Sequence, residues 1–212
     1  MSSRYLAAFR TAVREQLRDE DTDNLTFADE DIYRAIEDTL REVSRKMPRI
    51  QRSTITVTTA SKEIDLSDCT LDSVEDSNLV KDLFWIEAIE WKKEQTPRKY
   101  RHWNWLTENI IELDTYSTPA VDDEVDITWA GLHSVTSDTS TLPLILEDIV
   151  INGAVAHTLY NWGVEKENSV LDGGSGTAKR IADHGLLKWL SYQAELNRVK
   201  PVKQRVERRW SG

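Results

Sequence analysis

One stretch constrains this fold more than any other, because the run from Leu142 to Tyr160 is apolar on almost every side. Pro143 stands where a helix would begin, a position at which its missing N–H is not needed. The apolar residues that follow leave little polar face for solvent, which is typical of a buried helix: Leu144, Ile145, Leu146, Ile149, Val150, Ile151, Ala154, Val155 and Leu159. The pattern predicts a central helix over about 143–162 that other helices must cover.

Three amphipathic stretches can supply that cover, over about 4–18, 29–46 and 177–198. In the first, apolar residues recur every three or four positions, the spacing of one helix face. The second begins with three acidic residues and ends with Arg45, Lys46 and Pro48, as the helix dipole and the helix-stop rules favour. In the last, one side is expected to face the core: Ala182, Leu186, Trp189 and Leu190.

Between the second and third helices the apolar period changes to two, which predicts a β insert over about 51–131. Alternating residues on either side of a short turn at 60–62 predict a hairpin. Further strand candidates are 83–92, 110–113 and 125–129. The fold class is therefore mainly α with a β insert (α+β): a bundle of about four helices, a small antiparallel β region and an extended C-terminal tail. We expect one domain over 1–200 and a basic tail over 201–212.

Charge is distributed unevenly along the chain, whose formal net charge is -10. From Arg198 to Gly212 there are six basic residues against one acidic residue, so the remainder is strongly acidic. An acidic body repels nucleic acid, whereas a basic tail favours an acidic partner surface. No apolar run reaches the roughly 20 residues that span a bilayer, and the N-terminus has no signal-peptide pattern. A single cysteine, Cys69, allows no internal disulfide, so we expect synthesis in a cytoplasm and no membrane partner.

The sequence nominates no catalytic constellation. The four histidines have no metal-ligand spacing: His102, His133, His157 and His184. Cys69 lies in acidic surroundings, which do not activate a thiol. The Gly-rich stretch 173–179 lacks the residue order of a phosphate loop, and the carboxylates cluster in turns. We therefore assign no catalytic, cofactor-binding or metal-binding residue, and we expect the protein not to be an enzyme.

One acidic pattern leaves two interpretations open. Asp19, Asp21, Asp23 and Glu30 occupy positions 1, 3, 5 and 12 of a calcium loop between two predicted helices. Position 6 is Asn24 in place of glycine, and position 9 is Phe27, which has no side-chain oxygen. The same residues are also ordinary capping residues before a helix. Calcium titration, with Glu30→Gln as the control, separates the two interpretations.

Tryptophan is the outlier in composition, with eight residues. Tryptophan is favoured both in protein cores and as a buried anchor of protein interfaces. Eight are many for one modest core, so we expect some to serve in contacts with other chains.

Three stretches together resemble the head-to-tail connector, or adaptor, family of tailed bacteriophages, a likeness that covers about residues 4–200. Residues 26–48 resemble the family's early helix, with an acidic start and a stop at Pro48. Residues 83–91, Pro97, 109–113 and 125–131 resemble its β insert. Residues 142–160 resemble its central helix, which follows a Leu-Pro pair.

The resemblance implies a structural virion protein, made in the host cytoplasm and located at the head–tail interface. It implies a homo-oligomeric ring, dodecameric in the family, that docks below the portal protein and continues the DNA channel. Its partners would be the portal protein, a tail-completion or stopper protein, and further copies of itself, with double-stranded DNA passing through without specific binding. Family C-terminal segments often reach into the portal, which nominates five portal-contact residues: Lys203, Arg205, Arg208, Arg209 and Trp210.

Two alternatives remain open at this point. The same patterns occur in tail-completion or neck proteins one level lower in the particle. A small binding module, either a calcium-binding helix–loop–helix or a DNA-contacting protein, is the other. A salt-dependent DNA shift assay and the calcium titration discriminate the second alternative.

Overall fold

The computed structural model describes residues 5–21, 23, 25–68, 83–92, 98–169 and 175–199. They form two compact units: a helical unit, which runs through Met47 and resumes at His133, and a sheet unit, Pro48–Leu132. The predicted fold class is confirmed, since the described residues contain four long helices with an antiparallel sheet inserted between the second and the third. The predicted tail, 201–212, lies outside the described residues.

The helices are α1 (Leu6–Leu17), α2 (Asp29–Lys46), α3 (Leu144–Ser169) and α4 (Ser175–Arg198). At the end of α1, Arg18 adopts a left-handed conformation with φ 57. The N–H of Asp19 donates to the Arg14 carbonyl and that of Arg18 to the Glu15 carbonyl. This is the Schellman arrangement, which satisfies carbonyls that the helix end leaves without partners.

α3 is the central helix, as its apolar pattern predicts, and it packs against the other three helices. Its core residues are all buried: Leu146, Val150, Ile151, Ala154 and Val155. The prediction is wrong for Leu144 and Ile145, which are 49% and 75% exposed. These two residues lie in the first turn of α3, on the side that faces solvent.

The predicted core face of α4 is also wrong in part. Leu186 and Leu190 are 46% and 58% exposed, whereas the buried side carries Gly185, Tyr192 and Leu196. Glycine explains the difference, because a Cβ atom on Gly185 would lie 2.6 Å from the backbone nitrogen of Tyr160 in α3. α4 therefore approaches α3 through its small residues, and this orientation turns its leucines outward.

The described part of the sheet unit contains six strands in the order β1-β6-β3-β4-β5-β2, with neighbours antiparallel. Their bounds are β1 Arg49–Thr56, β2 Glu63–Asp65, β3 Leu83–Glu90, β4 Tyr100–Trp105, β5 Ile110–Asp114 and β6 Glu124–Gly131. A 3₁₀ turn, Leu66–Asp68, follows β2. The sheet's own core includes Trp91 and Trp129 among β-branched residues and leucines.

The hairpin predicted around 60–62 is wrong. β1 pairs with β6 and β2 pairs with β5, so the two strands lie at opposite ends of the strand order. The turn between them is bound to other segments: the Val57 N–H donates to the Asp123 carbonyl, and the Lys62 carbonyl accepts from Leu113. Strand β4 was not predicted, although Trp103 and Trp105 stand two residues apart, as a strand pattern requires.

Candidate functional site

The five portal-contact residues proposed from the resemblance lie outside the described residues: Lys203, Arg205, Arg208, Arg209 and Trp210. Cys69 also lies outside them. Of the glycine-rich stretch 173–179, residues 175–179 belong to the start of α4, and 173–174 lie outside the described residues. The remaining candidates for a functional site are the charged clusters and the exposed apolar side chains of the two described units.

Arg14 organises the segment between α1 and α2. Its Nη1 donates to the Asp19 carboxylate at 2.5 Å, and its Nη2 donates to the Asp29 carboxylate at 2.6 Å and to the Phe27 carbonyl at 3.0 Å. Asp19 is buried and also accepts from the backbone N–H groups of Thr26 and Phe27, at 2.7 and 3.3 Å. The Asp19 carboxylate is therefore committed to holding this loop in one conformation.

The contacts of Asp19 bear on whether residues 19–30 form the calcium loop that their spacing suggests. Asp19, its first position, is in contact with a guanidinium instead of pointing to a common centre with Asp21 and Asp23. Within the described part of the chain, no group of three or more His, Cys, Asp or Glu side chains could hold a metal ion. Asp19 does not cap α2 either, because the N-cap residue of that helix is Ala28, which makes no side-chain cap hydrogen bond, and Asp19 accepts from N–H groups of the loop before it.

Hydrogen bonding from Arg14 lowers the pKa of Asp29; burial opposes this effect, and the nearby charges of Arg10 and Arg14 lower the pKa further. Arg10 Nη1 lies 2.8 Å from the Asp29 carboxylate. Asp29 is also the first residue of α2, where the helix dipole favours a negative charge. The carboxylate is therefore held ionised to lower pH than an isolated aspartate.

The histidines do not converge in the structure. Both ring nitrogens of buried His133 face carbonyl oxygens, Nδ1 that of Thr141 at 3.0 Å and Nε2 that of Met47 at 2.9 Å. His157 packs edge-on against Trp189 with ring centroids 4.7 Å apart, and its Nε2 lies 3.5 Å from Glu42. His133 and His157 are thus built into the packing of the helical unit. His102 is on β4, and His184 is exposed on α4.

Glu42 joins α2 to α4 near His157. Its carboxylate accepts a hydrogen bond from the Tyr192 hydroxyl at 3.0 Å. Burial raises the pKa of Tyr192, and the Glu42 charge raises it further, so the phenol stays protonated and donating. The cluster ties two helices together.

Two buried carboxylates stand side by side in the sheet unit, a pair that sequence reasoning missed. Glu90 on β3 is the register partner of Asp126 on β6, and they are 4% and 2% exposed. Arg52 on β1 donates to both, at 2.9 Å to Glu90 and more closely to Asp126, and Thr54 donates to Asp126 at 2.5 Å. The signal available in the sequence was a charged residue in each of three strand candidates. Because the guanidinium lies between the carboxylates, the cluster is an ion pair network that joins three strands.

The tryptophans divide between core and surface. Trp91 and Trp129 are 1% and 2% exposed, and the Trp129 indole N–H donates to Ser53 at 2.9 Å. Trp85 on β3 and Trp105 on β4 are 43% and 48% exposed. Tryptophan, with tyrosine and arginine, is enriched among the residues that contribute most of the binding energy at protein interfaces. The sheet unit therefore presents candidate anchors for another chain.

A second apolar surface lies on the helical unit, where three neighbouring leucines of α4 face solvent: Leu186, Leu187 and Leu190. We call these the α4 leucine patch. Contiguous exposed apolar side chains mark interaction surfaces more often than scattered ones do. Across the described residues, no helix is long and apolar enough to cross a membrane.

Comparison with known proteins gives little further information. No family model matches the chain, and no curated protein matches it. Among solved structures, the chain is similar to one from a structure described as the neck of an empty GTA particle computed with C6 symmetry. The match covers 87% of this chain and 92% of that one, with 11% sequence identity and a TM-score of 0.30. A likeness this distant carries no weight for fold or function.

Proposed function

We propose that this chain is a non-enzymatic structural protein of the neck of a tailed-phage particle, a head-to-tail adaptor. In this proposal its copies form a ring, dodecameric as in the family it resembles, below the portal protein. The ring extends the DNA channel and connects the head to a tail-completion or stopper protein. The protein would act in the virion after synthesis in the host cytoplasm.

One observation carries the proposal. The three stretches that resemble the adaptor family fall on the elements that the resemblance implies: 26–48 covers α2, 83–91 covers β3, and 142–160 begins the central helix α3. The order of two helices, a β insert and two further helices is the one that the sequence patterns predict, and the resemblance implies a helical bundle with a β extension. Independent patterns that fall on the expected elements support one fold more strongly than any one of them does alone.

The charge of the chain supports a channel role. A formal net charge of -10 on a ring wall repels DNA phosphates, so DNA slides past without being held. Stable DNA binding instead needs Lys and Arg to neutralise phosphates. We therefore expect no shift of duplex DNA by the full chain at physiological salt.

The clusters of the described units support a structural role in preference to catalysis. Arg52 pairs with both buried carboxylates, Glu90 and Asp126, and Arg14 pairs with Asp19. A catalytic acid and base would need such groups open to a substrate. Here they face other side chains and join separate strands and helices.

The basic tail is the proposed portal contact, and it can be tested with one variant that removes the positive charge and a control that keeps it. One variant replaces the four basic residues of the tail and Trp210 by glutamine: Lys203, Arg205, Arg208, Arg209 and Trp210. The control exchanges only the three arginines for lysine, which keeps the charge. Co-sedimentation with purified portal rings should be lost in the first and largely retained in the second. Unchanged binding by the glutamine variant would rule out the tail as the portal contact.

A further inference from the structure

The two ends of the sheet line one groove. β1 and β2 are the first and last strands of the strand order, and no described strand pairs with the outer edge of either. A groove of about 280 Å³ lies between them, lined by residues 55–59, 61, 63–65 and 110. We call it the β1–β2 groove. The sheet therefore curls far enough to bring its two free edges to the same opening.

The β1 edge of the groove presents backbone groups that a further strand can bind. The Val57 N–H donates to the Asp123 carbonyl at 2.9 Å, so the odd-numbered residues of β1 are the ones that bond to β6. In an antiparallel pair the alternate residues point their N–H and C=O groups to the other side. The backbone groups of Thr54 and Thr56 therefore point away from β6.

The β2 edge presents backbone groups in the same way. The Lys62 carbonyl accepts from the Leu113 N–H of β5 at 2.9 Å, so the even-numbered residues of this segment bond to β5. The backbone groups of Glu63 and Asp65 point away from it. One of them is already bound, because the Glu63 N–H donates to the Ser61 hydroxyl at 3.0 Å. The remaining groups can bind a strand placed between β1 and β2.

The β2 side of the groove is acidic. Glu63 stands opposite Glu112 on β5, and among the described residues neither has an ion-pair partner. Hydrogen bonds from the Ser67 hydroxyl and N–H, at 2.6 and 2.9 Å, lower the pKa of Asp65, so its carboxylate stays charged. Lys62 is the one basic residue from 57 to 66, and alternation places it on the other face from Glu63 and Asp65. A strand beside β2 would therefore be favoured by basic residues two positions apart, on the same face as the carboxylates.

The segment 202–206 of this chain has that pattern. Lys203 and Arg205 stand two positions apart, and Val202, Gln204 and Val206 occupy the alternate positions. The segment lies outside the described residues. It begins four residues beyond the end of α4, a tether that spans at most roughly 14 Å. That tether limits which sites the segment can reach in its own chain, whereas it sets no limit on binding to a neighbouring copy.

We propose that residues 202–206 of one copy bind as an added strand in the β1–β2 groove of the next copy. The two basic residues of the segment lie beside Glu63 and Asp65. When a strand is added to a free sheet edge, backbone hydrogen bonds supply affinity and side chains at alternate positions supply specificity.

This contact is heterologous, because two different parts of the chain meet. Repeated heterologous contacts close into a ring when the rotation allows. The inference therefore rests on the proposed ring function and names the surfaces through which neighbouring copies are joined. Residues 208–210 lie beyond the added strand and stay free for the proposed portal contact.

Disulfide trapping between copies tests the contact directly. In a Cys69→Ser background, one chain carries Thr56→Cys and another carries Lys203→Cys, and the two are mixed under mild oxidation. The control replaces Thr56→Cys by Thr118→Cys, at an exposed threonine of the sheet unit outside the groove. We expect the mixed dimer to exceed that of the control by at least about tenfold. Equal yields would overturn the inference. So would a chain carrying both Thr56→Cys and Lys203→Cys that closes an internal disulfide without forming dimers, because its strand would then bind within its own chain.

Charge reversal tests the role of the acidic edge. Glu63→Lys, added to the Thr56→Cys chain, should reduce the mixed dimer at least about threefold, whereas Asp138→Lys, at an exposed aspartate of the helical unit, should leave it unchanged. Arg205→Glu in the other chain should restore the yield with Glu63→Lys. Circular dichroism checks that the variants remain folded. An unchanged yield with Glu63→Lys would contradict the proposed pairing.

Imaging of the wild-type chain separates this inference from the proposed function. If annular particles form and the trapping yields equal those of the control, the inference fails and the adaptor function stands. If the mixed dimer is trapped and no annular particles form, with or without portal rings, two copies meet through this strand and the adaptor function fails.

Discussion

Removing the guanidinium of Arg52 would leave Glu90 and Asp126 as neighbouring buried carboxylates. The two residues are directly paired across β3 and β6, a position at which Cβ atoms lie about 5 Å apart. At that separation and an effective dielectric of about 20, two unit charges repel by roughly 3 kcal/mol. Arg52 is itself 42% exposed, which reduces the net effect below that of a fully buried pair. We expect Arg52→Met to destabilise the sheet unit by about 2–4 kcal/mol.

Native-state hydrogen exchange measures this loss where it occurs, because the amides of β3 and β6 report the opening of the sheet unit. The control is Arg34→Met, since Arg34 is 71% exposed and lies 3.8 Å from Asp31. It should change stability by less than about 0.5 kcal/mol.

A second substitution tests whether repulsion between the two carboxylates causes the loss of stability. Adding Asp126→Asn to Arg52→Met removes the repulsion, and Arg98 still lies 3.9 Å from Glu90. The double variant should recover at least about 1 kcal/mol of the loss. A loss below about 0.5 kcal/mol for Arg52→Met, or strictly additive effects of the two substitutions, would refute the reasoning.

Three further predictions concern the helical unit. Asp19→Ala should lower the free energy of unfolding by about 2–3 kcal/mol, because it removes the carboxylate that accepts from Nη1 of buried Arg14 and from two backbone N–H groups; chemical denaturation measures it, and a loss under about 0.5 kcal/mol would contradict it. Asp29 has a pKa lowered from 3.8, so its stabilising effect is present above about pH 4 and is lost as the pH falls through the lowered pKa. The difference in thermal midpoint between wild type and Asp29→Asn should therefore shrink in acid, and a difference independent of pH would count against it. Gly163→Ala should destabilise by about 1–3 kcal/mol despite the higher helix propensity of alanine, because its Cβ atom would meet the Ala182 backbone; a rise in the thermal midpoint would show that the helices can separate at low cost.

The sequence predicted those parts of the fold that local patterns determine. The range 29–46 predicted for the second helix coincides with α2, because acidic residues, apolar period and Pro48 all act within that segment. The central position of α3 followed from its apolar character alone. The core face predicted for α4 was wrong. Leucine is normally a better core residue than glycine, and only the α3 backbone that lies opposite shows that Gly185 must face α3.

The other misses also depend on partners distant in sequence. β1 and β2 alternate as a hairpin would, but each pairs with a strand about 50 to 80 residues further along, which periodicity does not reveal. The carboxylates Glu90 and Asp126 become a pair only through the register of β3 and β6. Asp19 fits a calcium loop by spacing, and the contact with Arg14 is visible only once α1 and the loop are folded. The proposed portal residues of the tail remain a prediction.

The most direct test of the adaptor proposal is negative-stain imaging of the concentrated full chain, alone and mixed with purified portal rings. We predict annular particles in at least one of the two samples, with a central hole wide enough for duplex DNA and a countable symmetry. Compact single copies in both samples, with no complex on the portal rings, would contradict the proposal.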